Sequence, residues 1–131
     1  MKNEFDSAKI YEDENTLAFL DINPLTKGHC LVVPKQHFEN IFDIPDELLG
    51  KIILTTKDIS GRIKKSLKAD GIRLSQSNGE IAGQVILHFH MHIIPRYQND
   101  GIQMGDATTS RPQKADLNEL KKLANEINSS A

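Results

Sequence analysis

This 131-residue chain is expected to form an α+β domain with a largely antiparallel sheet. Three observations point there. Short β-rich runs joined by tight turns fill the first third of the chain. One long middle segment switches to helical periodicity, and a second amphipathic helix lies near the C-terminal end. The length suits a single domain, 1–131. A domain of this size buries about two-thirds of the surface its unfolded chain exposes, so it can hold a core without staples.

Residues 1–7 are polar and are expected to be loose. Lys9–Glu12 and Thr16–Leu20 are strand-like runs on either side of Asp13-Glu14-Asn15, so a hairpin is expected. Asp21-Ile22-Asn23-Pro24 reads as a loop, because Pro24 pushes Asn23 out of helical geometry. Gly28 precedes a third strand, His29–Val33, and Pro34 ends its regular pairing for want of an N–H.

From Pro45 the period changes. Leu48, Leu49, Ile52, Ile53, Ile59, Ile63 and Leu67 follow the three-and-four spacing of one helix face. Pro45 suits the first turn, and Asp46 and Glu47 suit the positive end of the helix dipole. Lys64, Lys65 and Lys68 lie near the negative end, with Gly71 as the terminator. Gly61 weakens this helix by about 1 kcal/mol relative to Ala. Ile72–Ser75 reads as another short strand, Asn78-Gly79 as a turn, and Val85–Ile94 as a long strand. Residues 98–114 are polar and without period, and are expected to be a loop. Ala115–Ile127 reads as a C-terminal helix with Leu117, Leu120, Leu123, Ala124 and Ile127 on one side. Asp116 and Glu119 have the spacing of a capping pair at its start.

Composition narrows the function. Hydrophobic residues make up 38% and charged residues 26%, as in soluble globular proteins. A net charge of −2 carries no basic field for nucleic acid. Cys30 is the only cysteine, so no internal disulfide and no cysteine-rich zinc site is expected. That suits a reducing cytoplasm, the expected location. No apolar signal region and no run near the ~20 residues of a membrane span is visible, so no membrane partner is expected.

The chemistry is concentrated in residues 83–96, GQVILHFHMHIIPR. Three of the five histidines, His88, His90 and His92, fall at alternate positions. On a strand they would share one face, about 6.5 Å apart, with Phe89, Met91 and Ile93 on the core side. Three readings follow from the residues alone. The imidazoles could populate a solvated face. Two of them could share a metal ion, with His29 or His37 completing the site, although no acidic residue lies close in the motif. Or a middle imidazole could attack phosphorus while its neighbours fix its tautomer and handle protons. The third reading needs donors for phosphoryl oxygens. Asn78-Gly79 and Gly83-Gln84 offer exposed N–H groups and side-chain amides for that purpose.

GQVILHFHMHIIPR resembles the signature of the histidine triad (HIT) family: His-φ-His-φ-His-φ-φ, with φ apolar, preceded by Gly-Gln. YEDENTLAFLDINPLTKGHCLVVPKQHFENIFDIP, Tyr11–Pro45, resembles the family's N-terminal half, and SQSNGEIAGQ, Ser75–Gln84, its loop before the triad. The resemblance covers about residues 8–97. It implies a five-stranded antiparallel sheet with two main helices, usually a homodimer, that acts at the α-phosphate of a nucleoside monophosphate ester or amide.

The resemblance also implies roles. His90 would be the nucleophile, forming a nucleotidyl-histidine that water hydrolyses. His92 would help protonate the leaving group, and His88 and His29 would orient and polarise the site. Gln84 would lie near the scissile phosphate and Asp21 would hydrogen-bond the ribose hydroxyls. Ile22 and the apolar residues around Phe19 and Leu20 would pack against the base. Val85 stands where relatives commonly carry Ser or Thr, which leaves only its backbone N–H for the phosphate. Ser77 stands where relatives often carry Asn. The Cys-containing zinc segment that opens many bacterial relatives is absent from MKNEFDSAKIYED, so neither a structural zinc nor a cofactor is expected. Lys35 and His37 read as surface residues after a strand, and Arg96 as a strand-end cap. The expected activity is a purine nucleoside phosphoramidase that releases AMP from an amine. The alternatives are a dinucleoside polyphosphate hydrolase and a nucleotide-binding sensor with little turnover.

Overall fold

The computed structural model describes residues 8–102 and 114–129. Five strands form one sheet: β1 Lys9–Glu12, β2 Thr16–Leu20, β3 Cys30–Pro34, β4 Gly71–Ser75 and β5 Met91–Arg96. Two helices accompany it, α1 Asp46–Leu67 and α2 Leu117–Ser129. The strand order is β1-β2-β3-β5-β4, and each neighbouring pair is antiparallel. The expected α+β class, with five antiparallel strands and two main helices, is the fold the chain adopts. The expectation of a loose N-terminal segment at 1–7, and most of the expected loop at 98–114, lie outside the described residues. No helix among the described residues is long and apolar enough to cross a membrane.

The elements form for local reasons. Asp13 Oδ1 accepts from the amides of Asn15 and Thr16, both at 2.8 Å, and so closes the β1–β2 turn. Pro45, at φ −66° and ψ 147°, is the cap residue before α1, and Asp46 and Glu47 occupy the first turn. The helix ends earlier than Gly71 implies. Lys68 adopts the left-handed conformation, with φ 55°, and Gly71 instead opens β4. Asp116 Oδ1 accepts from the Asn118 amide at 3.2 Å at the start of α2.

Both helices cover one face of the sheet. Ile52, Ile59 and Ile63 of α1 and Leu120, Ala124 and Ile127 of α2 join Ala18, Leu20, Cys30, Val32 and Ile93 in one core. Ile52, Ile59 and Ile63 are fully buried, each contributing about 1.5–3 kcal/mol of apolar transfer. The opposite face stays partly open. Register places Phe19 beside Leu31, Leu31 beside His92, and His92 beside Ser75, and all four are half-buried.

The main departure from expectation is the strand at Val85–Ile94. Only Met91–Arg96 is extended and paired, and a single 3-10 turn, Glu80–Ala82, lies upstream. The β3–β5 ladder runs from Cys30↔Ile93 to Val32↔Met91 and stops there. Pro34, at the end of β3, has no N–H with which to carry it on. Its carbonyl instead lies 2.9 Å from His88 Nε2. Val85, Ile86 and Leu87 are exposed. His88 and His90 therefore do not share a strand face with His92.

Candidate active site

His90 is held by its own chain. Its Nδ1 lies 2.8 Å from the His88 carbonyl oxygen. A carbonyl only accepts, so Nδ1 carries a proton, and in the neutral ring Nε2 holds the lone pair. Nε2 has no hydrogen-bond partner among the described residues. His90 is half-buried, and its ring stands edge-on to that of His92 with centroids 4.9 Å apart. The ring is thus oriented by its Nδ1–H, with Nε2 on the side left open.

His92 belongs to a second cluster. The Leu25 amide donates to His29 Nδ1 at 2.9 Å, so His29 carries its proton on Nε2. That Nε2–H lies 2.9 Å from His92 Nδ1 and 3.6 Å from Asp21 Oδ2. His92 therefore accepts at Nδ1, and in its neutral form it presents an N–H at Nε2. His29 is fully buried and Asp21 nearly so. The other Asp21 oxygen, Oδ1, accepts from the Asn23 amide at 2.9 Å.

Asp21, His29 and His92 also bring one potential metal-ligand atom each within 4.8 Å of one another. The Leu25 amide argues against a cation there. To ligate through Nε2, His29 would have to move its proton to Nδ1, against the N–H already pointed at that nitrogen.

The amides expected near the phosphate are committed elsewhere. Gln84 is 4% exposed. Its Nε2 donates to the carbonyls of Glu39 at 2.6 Å and Ile86 at 3.0 Å, and its Oε1 accepts from the Gly79 amide at 2.8 Å. With both amide hydrogens engaged, Gln84 braces the loop and has no free donor for an anion. Asn78 exchanges two hydrogen bonds with Gln76, at 2.6 and 2.7 Å, and accepts from the Ile41 amide at 2.8 Å. Val85 presents what remains, since its backbone N–H has no hydrogen-bond partner among the described residues.

Ile22 is half-buried against the core, and its carbonyl accepts from Ala115 at 2.8 Å. Leu20 points into the core at 3% exposure, so Phe19 and Leu31 form the apolar shelf beside His92. Arg96 pairs with Asp100 through two nitrogens, at 2.7 and 3.0 Å, as a strand-end cap. Lys35 pairs with Glu12 at 2.6 Å.

Residues 2–99 match the HIT domain family. The chain belongs to the HIT family. It is 49% identical over 96 residues to "Protein hit" of Bacillus subtilis, covering 72% of this chain and 66% of that protein. It is 38% identical over 128 residues to the adenosine 5'-monophosphoramidase HNT1 of Saccharomyces cerevisiae, covering 97% of this chain and 76% of the yeast protein. Among solved structures, a HIT-like protein of Bartonella henselae superimposes with a TM-score of 0.84 at 34% identity. That match covers 98% of this chain and 89% of the other.

One contact in this HIT protein carries no signal in its sequence. His37 Nδ1 lies 3.0 Å from His88 Nδ1, with ring centroids 5.1 Å apart. His37 is exposed, and 51 residues separate it from His88. The KQH tripeptide carries no local signal for such a contact. His88 itself is buried, and that burial holds its pKa below the ordinary histidine value. The hydrogen bond to the Pro34 carbonyl opposes the shift.

Proposed function

We propose that this protein is a nucleotide hydrolase that releases AMP from an amine through a nucleotidyl group on His90. The observation that carries this reading is the tautomer of His90, whose Nδ1–H is tied to the His88 carbonyl while Nε2 is left unpartnered. In the first step Nε2 bonds to the α-phosphorus as the phosphorus–amine bond breaks. His92 passes a proton to the departing amine. In the second step water attacks the same phosphorus, the bond to His90 breaks, and the proton that water loses returns to His92. In this reading the Val85 N–H donates to a phosphoryl oxygen, and Phe19 and Leu31 pack against the purine. The 38% identity to a yeast monophosphoramidase supports this choice over the dinucleoside polyphosphate hydrolase and the sensor. We also infer a homodimer working in a reducing compartment, consistent with a single buried cysteine.

The test is rapid acid quench of turnover with a labelled adenosine 5'-phosphoramidate of a simple amine, followed by peptide mapping. The label is expected on His90. His90→Ala should abolish turnover while AMP still binds. A labelled residue other than His90, or a His90→Ala variant that turns over normally, overturns the assignment.

A further inference from the structure

Two triad histidines precede β5, where no ladder holds them. The segment after β3 does so instead. The Phe89 amide donates to the Phe38 carbonyl at 2.7 Å, Gln84 donates to Glu39, and the Ile41 amide donates to Asn78. His37 adds a hydrogen bond from this segment to a triad ring.

The proton positions along that contact are determined by its ends. His88 Nε2 faces the Pro34 carbonyl at 2.9 Å, and a carbonyl can only accept, so Nε2 carries the proton. His88 Nδ1 is then a lone pair, and His37 Nδ1–H donates to it across 3.0 Å. The peptide carbonyl of the same residue, His88, receives Nδ1–H of His90. His88 is thus gripped at both ring nitrogens, and its carbonyl sets the tautomer of the residue two positions on.

We propose that His37 is a positioning residue for His90: by donating to His88 Nδ1 it fixes the peptide whose carbonyl keeps His90 Nε2 free. The proposal rests on the reading of His90 as the nucleophile. Without His37, a buried ring nitrogen loses its donor. The His88 ring can then turn to find another partner, letting go of Pro34 and tilting the carbonyl that orients His90. His37 is exposed, so its removal takes little apolar area from the core, and alignment is what changes.

The experiment compares His37→Ala and His37→Asn with the native protein. It measures kcat and KM on an adenosine 5'-phosphoramidate, the melting temperature, and the His90 tautomer by long-range 15N NMR. His37→Ala is expected to lower kcat about 10- to 100-fold, the scale of a small misplacement of a reacting group, with KM within about twofold. The His90 nitrogen signals should move from a single Nδ1–H tautomer to a mixture. His37→Asn keeps an N–H donor and should restore most of the rate and the single tautomer. Native kcat and an unchanged His90 tautomer in His37→Ala overturn the proposal. So does equal impairment of both variants in step with equal losses in melting temperature, which marks a structural role. Should the native protein prove inactive, the reading of His90 fails, and the tautomer measurement still decides whether His37 orients that ring.

Discussion

Gly28 sits one residue before His29 with φ at 94°, and a Cβ built on it would lie 2.6 Å from Leu67 Cδ1 and 3.2 Å from Pro95 Cγ. Two costs therefore fall on any side chain here. The positive φ strains an L-residue, and the added methyl overpacks the contact between α1 and the end of β5. Leu67 can yield at its tip, but the Pro95 ring cannot swing away. Gly28→Ala is expected to lose roughly 2–4 kcal/mol of stability, read from the urea midpoint with an unchanged slope. A loss under about 0.5 kcal/mol, the size of a neutral surface change, would show that the helix and strand absorb the methyl. At this scale the sequence showed which residue types meet, but not their protons. His29, His88, His90 and His92 were legible as a chemical set. Their tautomers depend on Leu25, Pro34 and the His88 carbonyl, and His37 touches His88 only because the fold brings them together.

The turn after β5 shows how one carboxylate terminates an element. Asp100 takes Arg96 through both oxygens and accepts from the amides of Tyr97 and Ile102, each at 3.0 Å. The Arg96 guanidinium, followed by these backbone donors, holds the Asp100 carboxyl well below the usual carboxylate range. The sign follows from linkage. An unfolded Asp takes up its proton near pH 3.9, while the folded one resists until lower pH. The stabilisation is therefore complete above about pH 4 and is lost as the pH falls further. Asp100→Asn should unfold at lower urea than the native protein at pH 7, and the gap should narrow as the pH approaches about 3. Parallel stability–pH curves for the two would remove Asp100 from this role. Elements of this chain were legible where a period was long. Twenty-two residues of α1 left little ambiguity, and its end was misjudged only because Lys68 took the left-handed cap expected of a glycine. β5 is overextended in the sequence because the apolar run Val85–Leu87 leads directly into the His88-Phe89-His90 alternation. What stops the strand is Pro34, distant in sequence, which ends the partner ladder.

For the molecule as a whole, the two edges of the sheet are unlike. β1 carries Lys9 and Glu12, and α2 packs against it, features that discourage strand addition. β4, GIRLS, has no strand partner on its outer edge among the described residues and exposes Leu74 at 46%. On α1, Arg62 and Ser66 reach α2, bonding Asn128 and Glu126. At 100° per residue the opposite flank carries Leu49, Ile53 and Ser60. Ile53 is 43% exposed, and the buried Ser60 hydroxyl has no hydrogen-bond partner among the described residues. An open strand edge and an apolar helix flank on the same side suit a second copy of this chain related by a two-fold axis. The native protein is expected to sediment at twice 14.7 kDa at micromolar concentration. Ile53→Asp combined with Leu74→Asp places carboxylates where two copies would have to desolvate them, and should yield a folded species of 14.7 kDa. Circular dichroism controls for folding. A native protein that sediments as a monomer, or a folded double variant that stays dimeric, would mean that this side of the molecule faces water instead.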